Sequence, residues 1–212
     1  MGYRIGFDIG STTIKAVVLD ENNQICYKSY ERHKAQVRQK ALDKLVELKK
    51  YTKEPFKFAI SGSGALGLSE QGELPFVQEV FASATGVSKL YPETDCAIEL
   101  GGEDAKILFF QGSVEQRMNS TCAGGTGAFI DQMATLLNMS LEEMNEASLN
   151  YHRLYPIASR CGVFAKTDIQ PLINQGVDKC DLCASIFQAV VDQTITSLAQ
   201  GRKIEGNILF LG

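Results

Sequence analysis

Two histidines, no surplus of basic charge and no long apolar run are what this sequence conspicuously lacks, and each shortage removes a class of function. Two His in 212 residues are too few for a His-based metal site. A formal net charge of −4, from 21 Lys and Arg against 25 Asp and Glu, argues against a nucleic-acid surface. No apolar run reaches the roughly 20 residues that span a bilayer, and Met1 leads straight into an alternating strand rather than a secretory leader. The expectation is a cytoplasmic protein that engages neither nucleic acid nor membrane. No G-x-x-x-x-G-K-(S/T) stretch occurs, which excludes a Walker-type phosphate loop.

What is present is ordinary globular composition, 44% hydrophobic and 22% charged, with six cysteines. In a reducing compartment these are thiols, metal ligands or redox groups rather than disulfides. Lys and Arg gather in 28–57, but "AQVRQKALDKLVELKKY" reads as an amphipathic helix with a solvated charged face.

Along the chain, "YRIGFDIG" (3–10), "TIKAVVLD" (13–20) and "NQICYKSYER" (23–32) predict three strands. The amphipathic helix follows, and then "FKFAISG" (56–62) as a strand ending in a Gly-rich turn. Residues 76–90 suit a helix. "DCAIELGG" (95–102), "AKILFFQ" (105–111) and "SVEQRMN" predict a second meander, and helical periodicity occupies 127–138, 140–149, 162–175 and 179–202. "NILFLG" starts a last strand. The two halves echo each other: D-I-G-S-T-T-I-K recurs as E-L-G-G-E-D-A-K, each opening a three-strand meander.

Both hairpin corners suit an anion. In "FDIGSTTIK", backbone N–H groups after Gly10 and the hydroxyls of Ser11, Thr12 and Thr13 can wrap a polyphosphate. Asp8 is placed to hold Mg²⁺ through water, and Lys15 can add a point charge. In "IELGGEDAK", Gly101 and Gly102 allow close backbone approach, while Glu103 and Asp104 bring carboxylates that suit a divalent cation or an attacking water. A plain polar hairpin turn is the alternative reading of each corner.

These paired motifs, D-x-G-(S/T)-(S/T) and (D/E)-x-G-G-(Q/E)-D, resemble the two phosphate motifs of the actin-like ATPase superfamily. The resemblance implies an α/β chain with the duplicated ribonuclease H-like fold of actin-like ATPases and of acetate and sugar kinases. It would place a first lobe at 1–92 and a second, with inserted cluster-binding helices, at 93–212. "STCAGGTGAF" and "SRCGVFAKTDI" further resemble the cluster-binding segments of the 2-hydroxyacyl-CoA dehydratase activators, which share a family with the benzoyl-CoA reductase ATPase subunits. In detail the chain is similar to the N-terminal activator region of long fused activases.

The resemblance implies a good deal. ATP or ADP with Mg²⁺ would sit on Gly10, Ser11, Thr12, Thr13, Lys15, Gly101, Gly102, Gly125, Thr126 and Gly127, with Asp8, Glu103 and Asp104 catalytic. Cys122 and Cys161 from each of two copies would hold one 4Fe–4S cluster on the axis of a homodimer. An electron from ferredoxin or flavodoxin would pass, driven by ATP hydrolysis, to a 2-hydroxyacyl-CoA dehydratase-like partner. Residue chemistry agrees: a cubane takes about four thiolates, two chains related by a two-fold axis supply them, and both cysteines open predicted helices, whose N-termini favour thiolate charge. The relatives continue past "NILFLG" with a Gly-Gly motif for adenosine, so the C-terminal lobe is expected to be truncated and adenine binding weak.

Other readings stand beside this one. Cys180 and Cys183 form a C-x-x-C that would complete a single-chain cluster or Zn site with Cys122 and Cys161. They also fall inside a helical pattern that needs no ligand. Cys26 and Cys96 look like small core residues, Met133, Met139 and Met144 like core filler, and His33 and His152 like surface or packing residues. Lys166, Thr167 and Asp168 line a cleft or a partner surface, or simply start a solvated helix face. A small-molecule kinase akin to N-acetylglucosamine kinase, using Asp95 or Asp104, and a regulatory module that binds nucleotide without turnover are the alternative functions.

Overall fold

Short turns between β-rich runs make the first strands fold back on themselves. A computed structural model describes residues 2–53, 55–119, 125–158 and 162–212, with Gly162 described by its backbone alone. It divides into two compact units, Met1–Leu90 and Tyr91–Gly212. In the first, β1 (Tyr3–Ile9), β2 (Thr13–Leu19) and β3 (Ile25–Arg32) form an antiparallel meander. The helix α1 (Val37–Leu48), extended by a 3₁₀ turn at Lys49–Thr52, crosses over so that β4 (Phe56–Ser61) returns parallel to β1. The helices α2 (Leu66–Gly72) and α3 (Glu79–Leu90) follow, and the sheet order is β3-β2-β1-β4.

Strand alternation puts Ile5, Phe7 and Ile9 on the inner face, where they pack with Ile14, Ala16, Val18, Ala41, Leu48 and Ile60. Each fully buried side chain of this size contributes about 1.5–3 kcal/mol of transfer free energy. The helix α1 buries Ala41 and Leu48 and leaves Leu42 and Val46 outside. Its charged face departs from expectation at one place. Lys44 is buried, and its ammonium reaches Glu31, Glu47 and the Tyr27 hydroxyl. Burial alone would lower its pKa, but those hydrogen bonds raise it well above the ordinary lysine value.

The second unit repeats the topology. Strands β5 (Cys96–Leu100), β6 (Ala105–Phe109) and β7 (Glu115–Met118) form the meander, and β8 (Ile208–Leu211) runs parallel to β5, in the order β7-β6-β5-β8. Between β7 and β8 lie α4 (Gly127–Leu137), α5 (Leu141–Ser148), α6 (Gly162–Asn174) and α7 (Lys179–Gln193), the last continuing as a π-helical turn over Thr194–Ala199. These helices carry their own core, including Phe129, Met133, Met144, Ile169, Leu182 and Ile186. A capping box starts α5: Glu143 N–H donates to the Ser140 hydroxyl and Ser140 N–H to the Glu143 carboxylate.

Several expectations change. Helix α2 is an element that the sequence pattern does not announce, and α3 starts at Glu79 because Phe76 bridges to Ile60 as extended chain. Cys26 is exposed rather than core, since β3 is an edge strand. His33 is buried and bonded, which selects packing from the two expected alternatives. Together α7 and its π turn, Lys179–Ala199, are long and apolar enough by length and composition alone to cross a membrane, although most of that stretch is buried within the protein. Cys96, Met133 and Met144 are buried, as expected.

Candidate functional site

In the first unit the turn between β1 and β2 carries six of the predicted residues. Gly10 N–H donates to the Thr13 carbonyl at 2.9 Å, closing a tight corner over Ser11 and Thr12. Asp8 and Lys15 face each other across the β1–β2 pair, their charges 3.4 Å apart. Lys15 also lies over the Tyr30 ring, 5.4 Å from its centroid. Both charges stay about a third exposed, so an arriving anion and cation can reach them. Ser11 and Thr12 are half-buried and Thr13 is buried. The turn is backed by Gly62, whose φ of +100° and 2.2 Å Cβ approach to the Ile9 carbonyl admit glycine alone.

The second unit builds the same corner. Gly101 N–H donates to the Asp104 carbonyl at 2.8 Å, and Glu99 pairs with Lys106 across β5–β6 at 3.4 Å. Acid, glycine, closing carbonyl and lysine thus recur at identical spacing in Asp8, Gly10, Thr13, Lys15 and in Glu99, Gly101, Asp104, Lys106. Lys106 is buried, unlike Lys15. Glu103 and Asp104 are exposed, with their side chains free to meet a hydrated cation.

The start of α4 docks on this corner. Gly127 N–H donates to the Gly101 carbonyl at 2.9 Å and Ala128 N–H to the Gly102 carbonyl at 2.8 Å. A Cβ at Gly127 would press on Gly101, and one at Gly125, where φ is +77°, would lie 2.8 Å from Gln193 Cγ. Thr126 is fully buried between them. Gly101, Gly102, Gly125, Thr126 and Gly127 therefore form one tight backbone cluster, with the positive end of the α4 dipole beside it. The Asn119 side chain secures the strand beneath by accepting Ala105 N–H.

Cys122 and Cys161 lie outside the described residues. Of the others, Cys183 is buried against Met139, and burial pushes its thiol up to about 11. The Asp178 hydrogen bond raises the Cys180 thiol, and burial raises that of Cys96. Raised values disfavour the thiolate a metal needs. Among the described residues no cluster of three or more His, Cys, Asp or Glu is arranged to hold a metal ion. Asp95, a candidate acid of the kinase reading, has its carboxylate on Asn207 N–H at 2.8 Å and against Gly206. Asp168 accepts Ala158 N–H.

Sequence reasoning missed Lys106, Asn119 and His33. The register of the internal repeat was a sufficient signal for Lys106, since it stands where Lys15 stands. His33 left none, because its partner Gly10 is distant in sequence.

Residues 5–212 match the model of the BadF/BadG/BcrA/BcrD ATPase family. The activator of lactoyl-CoA dehydratase from Anaerotignum propionicum is 29% identical over 216 residues, covering 99% of this chain and 82% of that protein. Component A of the Acidaminococcus fermentans (R)-2-hydroxyglutaryl-CoA dehydratase superposes with a TM-score of 0.87 at 27% identity, over 99% of this chain and 82% of that one. The ADPNP-bound activator of the 2-hydroxyisocaproyl-CoA dehydratase from Clostridium difficile gives 0.86 at 29% identity, over 99% and 80%. The fold is the duplicated ribonuclease H-like α/β fold of the actin-like ATPases.

Proposed function

Because the chain belongs to the BadF/BadG/BcrA/BcrD ATPase family, we propose that it is the ATP-hydrolysing activator of a 2-hydroxyacyl-CoA dehydratase-like partner, acting as a homodimer that carries one 4Fe–4S cluster. The observation that carries the reading is the repeated acid–glycine–lysine corner, with the N-terminus of α4 seated on the second copy just after Cys122. Asp8 would hold Mg²⁺, while Ser11, Thr12 and Thr13 and the nearby N–H groups would bind phosphate oxygens. Lys15 supplies positive charge. Glu103 and Asp104 orient the attacking water and hold its proton, and Gly125–Thr126–Gly127 let the backbone approach the phosphates.

The donor set fits the cluster on chemical grounds. We assign Cys122 and Cys161 to the cluster from their sequence segments; of the described cysteines, burial raises the thiols of Cys96 and Cys183 and the Asp178 hydrogen bond raises that of Cys180, which makes them poorer thiolate donors. Two per chain require two chains for about four thiolates. When bound, the cluster supplies a low-potential one-electron carrier, filled from ferredoxin or flavodoxin. This chain's own contribution is to tie that thiol segment to the phosphate corner: Cys122 and the Gly125–Gly127 turn lie within six residues. Anaerobic iron and sulfide analysis tests the reading. Wild type should hold about four of each per two chains, and Cys122→Ser or Cys161→Ser should lose them. An unchanged cluster in either variant removes the proposal.

A further inference from the structure

The two phosphate corners share a feature that their sequences hide. In each, the carbonyl of the leading glycine is held from behind by a donor outside the hairpin. Gly101 is held by Gly127 N–H at the start of α4. Gly10 is held by a side chain, the His33 ring, whose Nε2 lies 3.2 Å from the Gly10 oxygen. His33 grips the same turn again, its own N–H donating to the Thr12 carbonyl at 3.1 Å. The residue is buried at 5% exposure, so this contact is made in a water-poor setting. Its other ring nitrogen accepts Ala35 N–H at 3.2 Å. With Nδ1 accepting, Nε2 carries the proton and donates.

The chain bends sharply to allow this. Lys34 and Ala35 both lie in the left-handed region, at φ 48° and 61°, where non-glycine residues are strained. Strain of this kind persists where the surroundings demand it. Both residues directly follow the imidazole that reaches the Gly10 carbonyl.

We propose that His33 is a positioning residue for the first phosphate corner, a role that rests on the nucleotide-binding reading above. A planar trans peptide points its C=O and the following N–H to opposite sides, and no peptide bond in the described chain is cis. Holding the Gly10 and Thr12 carbonyls against His33 therefore turns the Ser11 and Thr13 N–H groups to the opposite side of the turn. Those are the donors that an anion in the corner would take, and they are set before it arrives. The same logic holds at the second corner, where α4 anchors Gly101 and Gly102 and so directs the Gly102 and Glu103 N–H groups.

Three variants separate this role from simple packing. His33→Gln places an amide donor where Nε2 stood; His33→Asn places an acceptor near Nδ1 only; His33→Ala removes both. Calorimetric titration with MgADP should show His33→Ala and His33→Asn binding about tenfold more weakly, one hydrogen-bonded contact's worth, and His33→Gln close to wild type. Long-range ¹H–¹⁵N spectra of the wild-type ring should show the Nε2–H tautomer, with the Nε2 signal moving on MgADP addition. If His33→Ala does not fold, the Gln and Asn pair decides. Equal MgADP affinity across the variants, or an Nδ1–H tautomer, overturns the role of His33 and leaves the nucleotide reading intact. Failure of wild type to bind MgADP overturns both.

Discussion

Lys15 and Lys106 occupy equivalent positions but sit in different surroundings, and that difference separates binding from stability. Lys15 and Asp8 keep about a third of their side-chain surface in water, so their pair is worth little to folding. Lys106 is 5% exposed beside Glu99 at 18%, and removing it leaves a poorly solvated carboxylate. Lys15→Met is expected to cost under about 1 kcal/mol of stability while weakening MgATP binding. Lys106→Met should cost about 3 kcal/mol, read as a lowered denaturant midpoint. Gly125→Ala belongs with the second kind. With φ at +77° and Gln193 Cγ 2.8 Å from the new methyl, it should destabilise by about 2 kcal/mol, and the loss should appear in the melting temperature.

At the scale of elements, α7 holds the segment that leads to Cys161. The Asp181 carboxylate accepts His152 and Arg153 N–H at 2.7 and 3.0 Å, and Ser185 accepts Tyr155 N–H at 2.8 Å. Those backbone N–H groups, His152 first, hold the Asp181 carboxyl below its ordinary value of 3.8. A depressed carboxylate contributes stability above the unfolded value and loses it as pH falls through the folded one. Wild type should therefore lose this contribution below about pH 4. Asp181→Asn should be less stable at neutral pH, with the gap narrowing as acid is added. Thermal melts from pH 7 to 3 check this, and a gap that stays constant refutes it. The link to α6 is similar, since Asp168 caps Ala158 N–H. The polar residues after Cys161 thus include one that shapes the segment ahead of that cysteine.

Over the whole molecule, the internal repeat made the plan legible. D-I-G-S-T-T-I-K and E-L-G-G-E-D-A-K announce two meanders, and the paired sheets bear them out strand for strand. Long amphipathic patterns located α4 to α7 to within a few residues, save that 194–199 turns π-helical. What escaped was short or non-local. Helix α2 spans seven residues, too few for a period to show. Cys26 alternates like a core residue but lies on an edge strand, a fact set by sheet order. His33 meets Gly10 only because β3 ends beside the β1–β2 corner, and no spacing rule reports that. We propose above that two chains share one cluster held by Cys122 and Cys161 of each. Native mass spectrometry of protein prepared without oxygen tests this: a two-chain species carrying a single 4Fe–4S unit is expected, falling to cluster-free protein in Cys161→Ser. A lone chain retaining a complete cluster, or a dimer with one per chain, would contradict it.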